Sequence, residues 1–247
     1  MSTDTIVVCG ASADIGLALL ERLARSPDGA RVIAHCHRGA ARMASLAGRL
    51  AGRCLVVEAD LADVGACEAF VARVDDSGWQ PTHFVHLPAL PLVYERFSKF
   101  DWPRFQKDLE LQVGSLTRLL PHWLPAPRRQ GKLRDVVVVS SSVTVNVPPK
   151  YMAMYTTVKY AQLGLLRSLT AEYAERGVVV NAVSPSMVQT RFLDKIPATA
   201  QELSAAASPL GRNASADEVA EVIQMLLSTR RPLWNGANIV LGGGSVF

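Results

Sequence analysis

No stretch of the 247 residues approaches the roughly 20 consecutive apolar positions that a membrane-spanning helix requires, so the sequence predicts a soluble chain with no membrane partner. Cysteine is scarce: four residues, at 9, 36, 54 and 67, form no CxxC pair and no His/Cys spacing suited to zinc. Cys9, Cys36 and Cys54 lie in or beside apolar runs, which predicts buried free thiols and a reducing, cytoplasmic setting. An excess of one charge is also missing. Lys and Arg number 26 against 22 Asp and Glu, a net charge of +4, and aromatic residues make up only 6 %. No basic stripe interleaved with aromatics appears, so nothing calls for nucleic acid as a partner. The opening MSTDTIVVCGAS lacks a basic segment followed by a long apolar run, so no secretory signal is read there.

What is present is apolar and regularly punctuated. Hydrophobic residues make up 49 %, enough for a sizeable core. Strands are expected at 5–9, 31–36, 53–59, 82–87, 135–141, 177–183 and 237–241. Helices are expected at Gly16 to about Arg25, then at 40–51, 64–75, 101–124 (interrupted or ended at Pro121), 153–175 and 216–228. Residues 191–213 read as short helices and loops. The strands are apolar on both sides instead of alternating, which favours a parallel sheet covered on both faces. The fold class is therefore α/β: a Rossmann-type doubly wound parallel sheet, with 1–247 as one domain. The densest basic group, Arg128, Arg129, Lys132 and Arg134, reads as a solvated loop or as a docking patch for an acidic partner.

The segment Gly10-Ala11-Ser12-Ala13-Asp14-Ile15-Gly16 joins the first strand to the first helix. Glycine lets the backbone approach a diphosphate there, and free N–H groups at a helix start face negative charge. Asp14 would repel a pyrophosphate unless it points away, for instance toward backbone N–H groups at the helix start. The second strand ends His35-Cys36-His37-Arg38, without the acid that accepts from ribose hydroxyls. Arg38 reads as a partner for a 2′-phosphate, favouring NADPH over NADH, or as a simple loop charge. Asp60 reads as an acceptor for adenine or as a helix cap. None of the five histidines (35, 37, 83, 86, 122) shows ligand spacing; they are expected to be structural or at the surface, with His86 nearest the cofactor groove.

The fifth strand ends Ser140-Ser141-Ser142, and thirteen residues after Ser142 comes Tyr155, with Lys159 at i+4 on the same helical face. A neighbouring ammonium favours the phenolate and lowers the phenol pKa, so that the phenol can exchange a proton with a substrate oxygen. A facing serine hydroxyl can hold that oxygen in place. Tyr151, Tyr160 and Lys150 nearby blur the pattern.

Taken in order, CGASADIG, Asp60, SSSV, YTTVK, NAVSPS and VLGGG resemble the short-chain dehydrogenase/reductase family, closest to its 3-oxoacyl-[acyl-carrier-protein] reductase branch, over practically the whole chain. The resemblance implies that Tyr155 is the proton donor, that Lys159 lowers its pKa and holds the nicotinamide ribose, and that Ser142 positions the carbonyl. It aligns Gln112 with an asparagine of a proton relay, with plain helix packing as the other reading. It implies cofactor contacts from Gly10, Ser12, Asp14, Ile15, Arg38, Asp60, Leu61, Pro88, Val188 and Thr190, besides Tyr155 and Lys159. It makes 191–213 a substrate lid, whose Phe192, Leu193, Ile196 and Leu203 suit a hydrophobic substrate or pack the lid down. The implied activity is NADPH-dependent reduction of a ketone, with a carrier-linked β-ketoacyl or polyketide thioester as one candidate substrate. An acyl carrier protein, near Arg176 and the 128–132 group, is then a candidate partner, and a homo-tetramer or dimer the expected assembly. The alternatives are NAD-dependent oxidation of a free secondary alcohol and a non-catalytic nucleotide-binding scaffold. Departures fall at cofactor contacts: Cys9 and Asp14 in the first motif, His86-Leu87-Pro88-Ala89 after the fourth strand, and Pro185-Ser186 after the sixth.

Overall fold

The computed structural model describes residues 4–126, 131–145, 147–228 and 232–245. Its strands are β1 (Thr5–Cys9), β2 (Arg31–Cys36), β3 (Cys54–Glu58), β4 (His83–His86), β5 (Asp135–Val139), β6 (Val179–Pro185) and β7 (Asn238–Leu241). They form one seven-stranded sheet in the order β3-β2-β1-β4-β5-β6-β7, and every pairing is parallel. Parallel neighbours need crossovers, which the intervening helices supply. Strand order reverses between β1 and β4, so a crevice opens at their carboxyl ends, where such sheets bind ligands.

Uninterrupted apolar strands place alternate residues on opposite faces, and both faces are covered. Val7, Ile33, Phe84, Val136 and Val138 pack beneath α3 (Val64–Asp76), α5 (Ser115–Trp123) and α6 (Ala153–Tyr173). Ile6, Val8, Val32, Val85 and Val137 pack beneath α1 (Asp14–Arg25), α2 (Ala40–Arg49) and α8 (Ala216–Ser228). Two buried layers of this kind are the main stabilising term in a chain of this size. The expected fold class thus matches the architecture, with strand and helix ends shifted by a few residues.

One expected feature is corrected. The long stretch 101–124 is broken by a π-turn at Glu110–Gly114, between α4 (Trp102–Leu109) and α5, and not at Pro121, which lies inside α5. Pro121 is two residues from the end of α5, so the helix stops within a turn of it. The segment after β6 holds a 3₁₀ turn at Arg191–Leu193 and α7 (Ala198–Ala207). Arg128 and Arg129 lie outside the described residues.

Candidate active site

The crevice begins at the turn after β1. Gly10 has φ +79, and a Cβ there would come within 3.2 Å of both Leu87 Cβ and the Pro88 nitrogen. The turn is therefore open only to glycine, and Pro88 of the altered His-Leu-Pro-Ala loop forms its opposite wall. The turn is also pinned from beneath by His35. Its Nδ1 accepts from the Gly10 N–H at 3.2 Å, and its Nε2 lies 3.0 Å from the Ala59 carbonyl, so the ring carries its proton on Nε2. Burial pushes its pKa down to about 4, keeping the ring neutral and Nδ1 free to accept.

Asp14 opens α1 but does not cap it. Its carboxylate accepts from the Arg191 backbone N–H at 2.7 Å and from the guanidiniums of Arg42 (2.9 Å) and Arg191 (3.3 Å). Both arginines also donate to the Ser12 carbonyl. The charge expected to repel a pyrophosphate is thus offset by two cations lying over the same turn. Arg42, which the sequence reading passed over, stands beside the turn, whereas Arg38 is exposed at the end of β2 and makes no described contact. Asp60 is not a helix cap: its Oδ1 accepts from Ala62 N–H at 3.1 Å and its Oδ2 lies 3.8 Å from His37, while Asp63 caps α3 through Ala66 N–H at 2.8 Å. The Leu61 side chain is in the core, Ile15 packs against the core under α1, and the Thr190 hydroxyl donates to the Val188 carbonyl at 3.3 Å. These residues suit a dinucleotide: a glycine-tight turn, a helix start and two guanidiniums supply what its phosphates require.

Tyr155 and Lys159 lie one turn apart on α6, the ammonium 5.7 Å from the ring centroid. Lys159 is 3 % exposed and donates to the Val139 carbonyl at 2.9 Å and to Gln162 Oε1 at 3.3 Å. Burial pushes its pKa down to about 8, opposed by the charge of Asp108. Burial pushes the Tyr155 phenol up to about 12; a hydrogen bond with the Ser141 side chain lowers it, and Asp108 raises it further. The Lys159 ammonium, expected to lower the phenol pKa, is engaged by Val139 and Gln162 and is not among the groups that shift the phenol. The serine differs too: Ser141, not Ser142, meets the phenol, while Ser142 begins a 3₁₀ turn.

Gln112 is buried and bonded to two neighbours of these residues, Asp108 and Gln162. The π-turn carries it, its Nε2 donates to Asp108 Oδ1 at 2.8 Å, and its carbonyl accepts from Gln162 Nε2 at 3.3 Å. Gln162 thereby bridges Lys159 to the Gln112 backbone. Three buried polar atoms nearby have no hydrogen-bond partner: Gln112 Oε1, His86 Nδ1 and Ser140 Oγ. Such orphans are costly unless water or a ligand reaches them. His86 is wholly buried, with Nε2 2.8 Å from Ser115 Oγ.

The cleft beside Tyr155 is lined by Leu90, Leu92, Asp108, Tyr151 and Met152 among others. Tyr151 holds a left-handed φ of 70, and its carbonyl is fixed by Glu95 N–H at 2.9 Å. Phe192 approaches the Tyr155 ring at 6.0 Å between centroids. Leu193 and Ile196 pack down with Leu92, Val143 and Met152 in a cluster against which both Tyr155 and Phe192 lie, while Leu203 is 71 % exposed. Arg176 stacks on Tyr173 and donates to the Pro125 carbonyl at 3.2 Å. Asp108, Gln162, Arg42 and His35 carry no motif, and the SSSV run does not single out Ser141. Only their packing assigns them here.

Among the described residues no group of three or more His, Cys, Asp or Glu could hold a metal, and no helix is long and apolar enough to cross a membrane. The cysteines are free, with Cys54 the least buried.

Comparison with known proteins agrees with this fold. The short-chain dehydrogenase RED2 of Pyricularia oryzae is 37 % identical over 120 residues, 47 % of this chain but only 43 % of that protein, so the match spans less than half of that relative. Nodulation protein G of Azospirillum brasilense is 26 % identical over 248 residues, 99 % of this chain and 98 % of the relative. A short-chain dehydrogenase from Burkholderia cenocepacia J2315, crystallised with NADP, superposes with a TM-score of 0.85 at 23 % identity, covering 99 % of this chain and 98 % of that one, a likeness of fold. The family model described as enoyl-(acyl carrier protein) reductase matches residues 10–245. With that match across nearly its full length, the chain belongs to the short-chain dehydrogenase/reductase family of oxidoreductases.

Proposed function

We propose that the protein is an NADPH-dependent reductase that converts a ketone to a secondary alcohol. The observation that carries this reading is Tyr155 in the cleft with the buried Lys159 ammonium 5.7 Å from its ring, in a chain whose glycine turn after β1 is overlaid by Arg42 and Arg191. When bound, the nicotinamide cofactor supplies the hydride. The chain supplies the rest. Gly10, Ser12 and the start of α1 receive the phosphates, with Pro88, Val188 and Thr190 along the opposite wall. Arg42, beside the turn, or Arg38, exposed after β2, would meet a 2′-phosphate, which favours NADPH. Lys159, anchored on Val139 and Gln162, holds a ribose hydroxyl. The serine at the phenol orients the carbonyl oxygen. Tyr155 then gives that oxygen its proton. A phenol is protonated at neutral pH, the form from which reduction draws its proton. Gln112, through Asp108 and Gln162, holds the floor of the site.

The test is oxidation of NADPH and NADH against a panel of ketones that includes short β-ketoacyl thioesters, with Tyr155→Phe and Arg42→Ala alongside. Tyr155→Phe is expected to lose at least about a hundredfold in kcat while still binding NADPH, the usual scale for a general acid. Arg42→Ala is expected to weaken NADPH binding in titration more than NADH binding. Failure to bind either cofactor would overturn the enzyme reading and leave a scaffold.

A further inference from the structure

The cleft holds a carboxylate that ketone reduction does not itself require. Asp108, on α4, is 9 % exposed and lines the cleft together with Tyr155. Its Oδ1 is occupied twice, by the Leu90 backbone N–H at 3.0 Å and by the Gln112 amide at 2.8 Å. Those two donors fix the carboxylate in one orientation. Among the described residues no hydrogen bond reaches its Oδ2, which is not among the sealed-off polar atoms, so it faces what enters the cleft. The cation sharing the cleft does not neutralise it: Arg104, one turn earlier, donates instead to the Pro91 carbonyl. The charge of Asp108 is felt at both Tyr155 and Lys159, which places it within electrostatic reach of the reacting groups.

A carboxylate is an acceptor only. A substrate that covers it with hydrocarbon strips its water and returns nothing, and one that brings a second negative charge is repelled. A substrate that brings a hydroxyl replaces the water with a charge-assisted hydrogen bond. Resting on the reductase reading above and narrowing its substrate, we propose that the protein reduces hydroxylated, uncharged ketones, and that Asp108 Oδ2 accepts a hydrogen bond from a substrate hydroxyl near the reacting carbonyl. Simple alkyl ketones and 2-oxo acids are then the disfavoured classes.

The experiment compares, on the unmodified protein with NADPH, 1-hydroxy-2-butanone, 2-butanone and 2-oxobutanoate. The expected kcat/KM for the hydroxyketone exceeds that for 2-butanone by at least about tenfold, with the oxo acid poorest, the scale of a hydrogen bond to a charged group. Asp108→Asn keeps an acceptor for Leu90 and Gln112 and turns the open position into a donor. It is expected to shrink the preference at least about tenfold, chiefly through KM. Titration with NADPH and a melting curve show whether the variant is folded, and the three-ketone comparison on the unmodified protein needs no variant. Equal or better reduction of 2-butanone overturns this proposal and leaves the reductase reading intact. No reduction of any ketone overturns both.

Discussion

Tyr155 illustrates how far a residue's surroundings reset its chemistry. The same phenol beside an ammonium can be pulled down or pushed up, according to which is stronger, the nearby charge or the loss of water. Here the loss of water wins, and Ser141 supplies the opposing hydrogen bond. Ser141→Ala is therefore expected to cut kcat for ketone reduction about tenfold or more, whereas Ser142→Ala costs less. Steady-state kinetics from pH 6 to about 10 decide between them, and a larger loss from Ser142→Ala would return the role to the residue that spacing selects. That choice was not legible in Ser140-Ser141-Ser142. Three adjacent hydroxyls look alike in sequence, and only the departure of the chain from β5 into the 3₁₀ turn aims one of them at α6.

At the scale of elements, helix termini show which local signals suffice. The run Ser215-Ala216-Asp217-Glu218 begins α8 with a reciprocal cap. Glu218 N–H donates to Ser215 Oγ at 3.2 Å, and Ser215 N–H donates to Glu218 Oε2 at 2.8 Å. Arg212 adds a pair of hydrogen bonds to the same carboxylate, and together these hold the Glu218 pKa down to about 2. Helix α8 also carries Asp217 and Gln224, which receive Arg22 of α1. Ser215→Ala is expected to cost about 1 kcal/mol, since one N–H of the first turn loses its acceptor. Thermal melting would read this as a fall of roughly 2–4 °C. A cap of this kind lies in four consecutive residues. The π-turn at Glu110–Gly114 does not: nothing in the local sequence marks it, and its Gln112 carbonyl receives Gln162 Nε2 only when α6 is docked against it.

For the whole molecule, burial of neutral imidazoles makes stability depend on pH. His35 has its pKa lowered from the ordinary 6.5 to about 4, and His86, wholly buried, lies well below the ordinary value as well; burial is the main cause in both. The folded pKa lies below the unfolded one, so between about 6.5 and 4 the unfolded chain binds more protons. Stability is then full above that window and falls as pH falls through it, by roughly 1 kcal/mol per pH unit for His35, with His86 acting in the same direction. Melting curves at pH 7.5 and 5 are expected to differ by several degrees, the lower pH being the less stable. A flat profile would show that these rings are hydrated or charged in the folded state.

The parallel sheet, its two covered faces and the pair Tyr155–Lys159 were determined by sequence alone. Strand-length apolar runs between helical stretches can bury both faces in few other ways, and i+4 spacing on a helix brings two side chains together without help. The tertiary structure decided the ionisation of that pair and the company it keeps. Asp14 is silenced by Arg42 and Arg191, from residues 28 and 177 positions away. Asp108 reaches the cleft only because Leu90 and Gln112 hold it there. Desolvation, charge and orphaned hydrogen-bonding groups are properties of a packed neighbourhood, and no run of consecutive residues contains one.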